Sequence, residues 1–192
     1  MFQICKRDIS KTVKIILTYC VLSAAFSLVG IFLAEKGPLG NNPLGGLTLH
    51  EIIGHILFGL VAGTVTLSLR YTIIAGVFAV LIDSDHLISL THIDALGRMS
   101  HSISFGVIAF VVMMTLFGKK DWRLGAIAFA SVFSHISFDI FAGDPKFPIF
   151  APFYNHLISF PKLDWLYFEI MAIIIIGIAT IFTREKEQKI TS

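Results

Sequence analysis

Leu81-Ile-Asp83-Ser-Asp85-His86, followed after a polar link by Ser100-His101-Ser102, is the stretch on which the reading of this chain turns. Two carboxylates close together and two imidazoles sit here at the ends of apolar segments that otherwise have the length and composition of membrane spans. Ionisable side chains at such depth are costly, so each needs a metal ion, a counter-charge or a proton path as its partner. His together with Asp favours the metal ion.

Outward from that stretch, composition sets the class. Hydrophobic residues make up 55% of 192 positions and mean hydropathy is +0.81, and several apolar runs approach the roughly 20 residues that cross a bilayer as a helix. The expected fold is all-α: a single integral-membrane domain over 1–192, polytopic, with about six transmembrane helices at 12–34, 48–69, 71–90, 100–117, 122–142 and 165–183. A net charge of +2 gives no footprint for nucleic acid, and the basic residues lie in short clusters beside spans. Cys5 lies in a polar tail and Cys20 inside an apolar run, so no disulfide framework is implied. The first apolar run is too long for a signal-peptide core and lacks a small-residue cleavage site, so it is expected to stay in the mature protein. Gly59 and Gly63 have the small-xxx-small spacing of closely packed membrane helices.

Six spans place both tails on one side with the turns at Arg70 and at Lys119 to Arg123. That side holds Lys6, Arg7, Lys11, Lys14, Arg70, Lys119, Lys120, Arg123, Arg184, Lys186 and Lys189, eleven of the fifteen Lys and Arg. By the positive-inside rule both termini are then cytoplasmic, and the expected location is the plasma (inner) membrane. In that orientation His50, Glu51, His55, Asp83, Asp85, His86, His101, His135 and Asp139 all fall at extracytoplasmic span ends, with His55, Asp83 and His135 roughly 10 Å below the boundary at 1.5 Å per residue. The cytoplasmic halves of these spans carry no ionisable residue except at their very ends.

Helical spacing says which of these point together. Asp83 and His86 are three apart, while Glu51 and His55, and His135 and Asp139, are four apart, so each pair shares a face. His50 and His55 are five apart, which rules out the metalloprotease pattern with its histidines four apart. A single intramembrane His or Asp commonly just bonds a neighbouring helix, but this many at one depth favour a shared divalent ion, which lowers the pKa of bound water and stabilises charge on a phosphoryl or carbonyl oxygen. Glu51 has three candidate roles: ligand, general base or partner of His55. Arg98 suits either clamping a substrate phosphate or anchoring at the interface, and Phe147-Pro-Ile-Phe150-Ala-Pro-Phe153-Tyr154 suits either a lipid-facing groove or an aromatic belt. His92 and His156, in loops, are expected to be solvated.

His55-Ile-Leu-Phe-Gly59, Leu-Ile-Asp83-Ser-Asp85-His86, Ser100-His101-Ser102, Ser134-His135-Ile-Ser-Phe-Asp139 and the later Phe-Pro-Ile-Phe-Ala-Pro-Phe together resemble the YdjM-like family of membrane-bound metal-dependent hydrolases, over about residues 50–154. That family's pattern has an N-terminal His, a Pro-Asp-x-Asp-His group, Thr-His-Ser, and Ser-His-x-x-x-Asp before an aromatic-proline segment. Its distant similarity to zinc-dependent phospholipase C implies phosphoester hydrolysis at a centre of one to three zinc or other divalent ions. The resemblance departs at Ile82, where the family has Pro, and at Leu96, where it often has His; His92, His50 or Asp94 would have to substitute for the latter.

The expected function is a zinc-dependent hydrolase acting on phosphoesters, with a phospholipid head group of the outer leaflet as substrate. His55, Asp83, His86, His101, His135 and Asp139 would hold the metal, Glu51 and Asp85 would orient ligands or move protons, and Arg98 would bind substrate. Two other readings compete. A divalent-cation or proton carrier also uses intramembrane His and carboxylates, although the inner halves offer no stepping stones. A non-catalytic assembly protein would use the metal only to fasten helix ends.

Overall fold

In lipid the backbone must satisfy its own hydrogen bonds, and long apolar runs do so most simply as helices. The computed structural model describes residues 6–33, 48–86, 95–118, 121–143 and 146–191, so His92 and Asp94 lie outside the described residues. Six α-helices are described: α1 (Lys6–Ser27), α2 (Leu49–Gly63), α3 (Leu69–Leu81), α4 (Ile103–Leu116), α5 (Trp122–Ala142) and α6 (Trp165–Thr191). One two-residue antiparallel ribbon, β1 (Lys146–Phe147) with β2 (Ile158–Ser159), joins them in the α5–α6 connection. The chain is an all-helical membrane protein.

Among the described residues, four helical segments are long and apolar enough to cross a bilayer: Asp8–Phe32, Leu49–Thr66, Trp122–Ala142 and Lys162–Lys186. The other two helices are shorter than the spans expected at 71–90 and 100–117. α3 has 13 residues and α4 has 14, about 20 Å each at 1.5 Å per residue, against a hydrocarbon core of about 30 Å. The expected 71–90 span gives way after Leu81 to a 3-10 turn over Ile82–Asp85, and the expected 100–117 span starts as a 3-10 turn over Met99–His101 before α4 begins. The cause is local. The Ile82 carbonyl, which a continuing helix would bond to its own backbone, faces the hydroxyls of Ser23 at 3.0 Å and Ser100 at 3.1 Å. Ser102 then caps α4 by accepting from the Phe105 amide.

α5 is the central rod, packed against α2, α3, α4 and α6, with 89% of its most apolar window buried. α1 and α6 instead turn large apolar side chains outward, Val13, Leu17 and Val21 on one and Ile170, Ile174 and Ile178 on the other, as helices bordering acyl chains do. α1 is pinned by Tyr19, whose ring stacks on Phe78 at 3.9 Å and whose hydroxyl donates to the Ala128 carbonyl. α2 and α3 approach backbone to backbone: a Cβ at Gly59 would lie 2.5 Å from the Ala75 carbonyl oxygen, so the small-xxx-small spacing serves packing.

Candidate metal centre

The caps of three helices aim the chemistry. Thr48 caps α2 by accepting from the Glu51 amide, which starts the helix so that His55 falls nearly two turns inside. The 3-10 turn after α3 brings Asp83 and His86, three apart, onto one side. α5 ends where Gly143, at φ 106°, donates its amide to the Asp139 carbonyl, which fixes the last turn carrying Asp139.

Four separate segments therefore converge. His55 Nε2 lies 3.4 Å from Asp83 Oδ2 and 3.3 Å from Asp139 Oδ1. His135 Nε2 lies 3.4 Å from Asp83 Oδ1 and 3.5 Å from Asp139 Oδ2. His101 Nε2 completes the set, 2.8 Å from His135 Nε2 and 3.9 and 3.8 Å from the same two carboxylates. All five side chains are buried.

The outward-facing nitrogens of two rings each have an oxygen acceptor beside them. His135 Nδ1 donates to the Ala79 carbonyl at 2.7 Å, and His101 Nδ1 faces Asp85 Oδ2 at 3.4 Å. Protons on both Nδ1 atoms would leave both Nε2 lone pairs turned inward at 2.8 Å from one another, an arrangement that repels unless a metal ion or a shared proton lies there. A ligating imidazole backed by a carbonyl or a carboxylate is the usual arrangement around a bound metal. His55 is set differently: its Nδ1 has no partner among the described residues, and its ring is held by stacking on His135 at 3.7 Å and by the edge of Phe138.

All the candidate residues reach this place, in two layers. Glu51, His55, Asp83, His86, Arg98 and Asp139, with Ala142 and Gly143, line a cavity of about 280 Å³; His101, His135 and Asp85 sit beneath. Asp85 accepts from Ser100 at 2.9 Å and faces His101 Nδ1, where it can orient that ring. Glu51 Oε2 stands 3.9 Å from His55 Nε2, and His86 Nε2 3.6 Å from Asp83 Oδ1. His50 is exposed beside Glu51, and exposed His156 packs on Tyr154 away from the centre. Leu96 is buried, its amide bonded to the Gly30 carbonyl, and takes a packing role. The aromatic-proline segment divides: Phe147 is buried against His101 and under Arg98, while Phe150, Phe153 and Tyr154 are exposed.

Three overlapping groups meet the distance requirement for holding an ion: His55, His135 and Asp139; Asp83, His101 and His135; and Asp83, Asp85 and His86. Nitrogen and carboxylate oxygen donors so arranged fit a divalent ion. Two functional-looking groups escape the sequence reading. Ser100 fixes Asp85. Glu169 on α6 is buried close to Ser134 and Ser137 of α5. Its signal was available, since an acid one turn inside an apolar span is rare. No family model, curated protein or solved structure matches the chain.

Proposed function

We propose that the chain is a membrane-embedded, zinc-dependent hydrolase of phosphoesters, with the head groups of outer-leaflet phospholipids as the substrate class. One observation carries this: three imidazole Nε2 atoms and two carboxylates from four segments meet in the floor of a cavity whose wall also holds a guanidinium. The motif resemblance to the YdjM-like hydrolases supports the same reading, as does the ligand chemistry. His55, His101, His135, Asp83 and Asp139 would hold the ion, with His86 able to join through Asp83. A bound divalent ion supplies Lewis-acid polarisation and an activated water.

The protein's own groups supply the rest. Asp85 and the Ala79 carbonyl keep His101 and His135 in the tautomer that offers Nε2 inward. Glu51, half-buried at the mouth, is placed to take or return a proton. Arg98 is placed to receive the anionic oxygen of a substrate. Burial of the floor excludes bulk water, which strengthens every charge interaction there. The excess of Lys and Arg on the side of both tails supports cytoplasmic termini in the plasma membrane, with the cavity facing the extracytoplasmic leaflet.

The test is zinc content per chain in detergent-purified protein and in the double variant His135→Ala with Asp139→Ala, together with a screen of phospholipid and simple phosphodiester substrates. At least one zinc per wild-type chain, none in the variant, and hydrolysis by the wild type alone are expected. Equal metal content in the two proteins ends the proposal. Zinc uptake into proteoliposomes without hydrolysis would instead favour a carrier.

A further inference from the structure

Arg98 stands where the backbone would prefer glycine. Its φ of 59° and ψ of 30° are left-handed, a region that non-glycine residues seldom occupy. Gly97, which would accept that conformation freely, is one position away. Strained non-glycine backbone persists where the surroundings over-determine it, and it gathers at binding sites. Here the Arg98 carbonyl accepts from the His101 amide at 3.0 Å, tying the strained residue to the turn that carries a candidate ligand. Its guanidinium lies over the Phe147 ring at 5.5 Å and lines the cavity, with Nη1 3.8 Å from Asp139 Oδ2.

That same Asp139 Oδ2 lies 3.5 Å from His135 Nε2, inside the candidate metal centre. With an ion in that centre, one carboxylate oxygen would serve two cations that repel each other. We propose that Arg98 is an oxyanion-binding residue whose availability is controlled by the metal. Without an ion, its guanidinium is engaged with Asp139. With an ion on Asp139, the carboxylate's charge is taken up, and the guanidinium turns to the negative oxygen of a phosphate ester in the cavity. Metal and oxyanion then bind in that order and strengthen each other by equal factors. This inference rests on the reading of the cavity as a metal centre, and it adds the order of binding and a group that competes with the metal.

The experiment titrates zinc into metal-stripped, full-length protein in detergent, with and without dimethyl phosphate, a singly charged phosphodiester, read before any of its ester is hydrolysed. Removing a competing cation makes Arg98→Gln bind zinc more tightly than the wild type, by at least about five-fold, the low end of ordinary coupling between sites. Arg98→Lys keeps the charge and binds zinc like the wild type. Dimethyl phosphate tightens zinc binding to the wild type and leaves Arg98→Gln unmoved. Zinc must tighten dimethyl phosphate binding to the wild type by the same factor, a measurement that needs no variant. Equal or weaker zinc binding by Arg98→Gln, or no reciprocal effect in the wild type, overturns the proposal. Absence of zinc binding in every protein removes the metal reading and this inference with it. The expected shifts without turnover of any ester would leave Arg98's role standing and remove the hydrolase.

Discussion

At the end of the bundle where α5 begins, Asp121 accepts from Arg123 through both oxygens, at 2.8 and 2.9 Å, and from the Tyr71 hydroxyl at 2.5 Å. Arg70 donates to Thr12 nearby, and the Tyr71 ring lies between the two guanidiniums at 5.8 and 5.2 Å. At the end where α5 finishes, Asp83 and Asp139 face each other across three imidazoles, with Asp85 directly behind. The first cluster pairs unlike charges and donors with acceptors; the second gathers like groups whose lone pairs point at one place. Ion pairs that satisfy themselves fasten helices, whereas converging acceptors are stable only with a cation from outside. The bundle has one end built to hold itself together and another built to hold something else.

The largest effect that tests this contrast is on metal-linked stability. An ion that binds only the folded state stabilises it by about 4 kcal/mol at a thousand-fold excess over its Kd. Thermal unfolding of zinc-loaded protein should therefore drop by that order when the metal is chelated, and Asp83→Asn should remove nearly all of the difference. In the metal-free state Asp83→Asn should be no less stable than the wild type, because it removes one of several carboxylates that repel one another. A chelator without effect on the wild type would make the two ends alike.

A smaller effect separates the layers of the centre. Ser100→Ala removes a donor to Asp85 and one of the two hydroxyls at the Ile82 carbonyl, while deleting no candidate ligand. Groups that orient ligands are worth about 10–100-fold in metal affinity. Zinc binding should weaken by about ten-fold, read by competition with a chromophoric chelator, while stoichiometry stays unchanged. A loss of stoichiometry would mean that Asp85 faces the metal directly.

These two substitutions also mark the border of what sequence could tell. Asp83 was legible because spacing of three and four is a local property, and a 3-10 turn preserves the Asp83 and His86 alignment as well as an α-turn would. The gathering of four segments at one depth followed from span order alone. The early end of α3 was not legible, since hydropathy cannot register that two serines from distant segments meet the Ile82 carbonyl. Nor was the division of labour between Phe147 and Phe150, which depends on the ribbon pairing Phe147 with Ile158. Asp85 reads from sequence as a group that orients ligands or moves protons, but only the turn shows that His101 is the ring it faces.

The smallest effect lies at the self-satisfied end, and it carries a pH signature. Burial alone pushes the Asp121 carboxyl up, but the hydrogen bonds from Arg123 and Tyr71 outweigh it and hold the group below the ordinary value of 3.8. A carboxylate depressed in the folded state contributes stability that is complete above its ordinary pKa and disappears as pH falls through the lower folded value. Asn keeps the capping oxygen for the Arg123 amide, so Asp121→Asn removes the charge and the second acceptor, which Arg123 Nη2 and the Tyr71 hydroxyl use. It should cost about 1 kcal/mol at neutral pH, the low end for charge-assisted hydrogen bonds because the site is partly exposed. Unfolding of the two proteins should converge as pH drops below about 4, the ordinary carboxylate range. Metal content should not change at any pH where both are folded. A gap that persists undiminished in acid would assign Asp121's contribution to shape rather than charge, and a change in zinc content would show that the two ends of α5 are coupled.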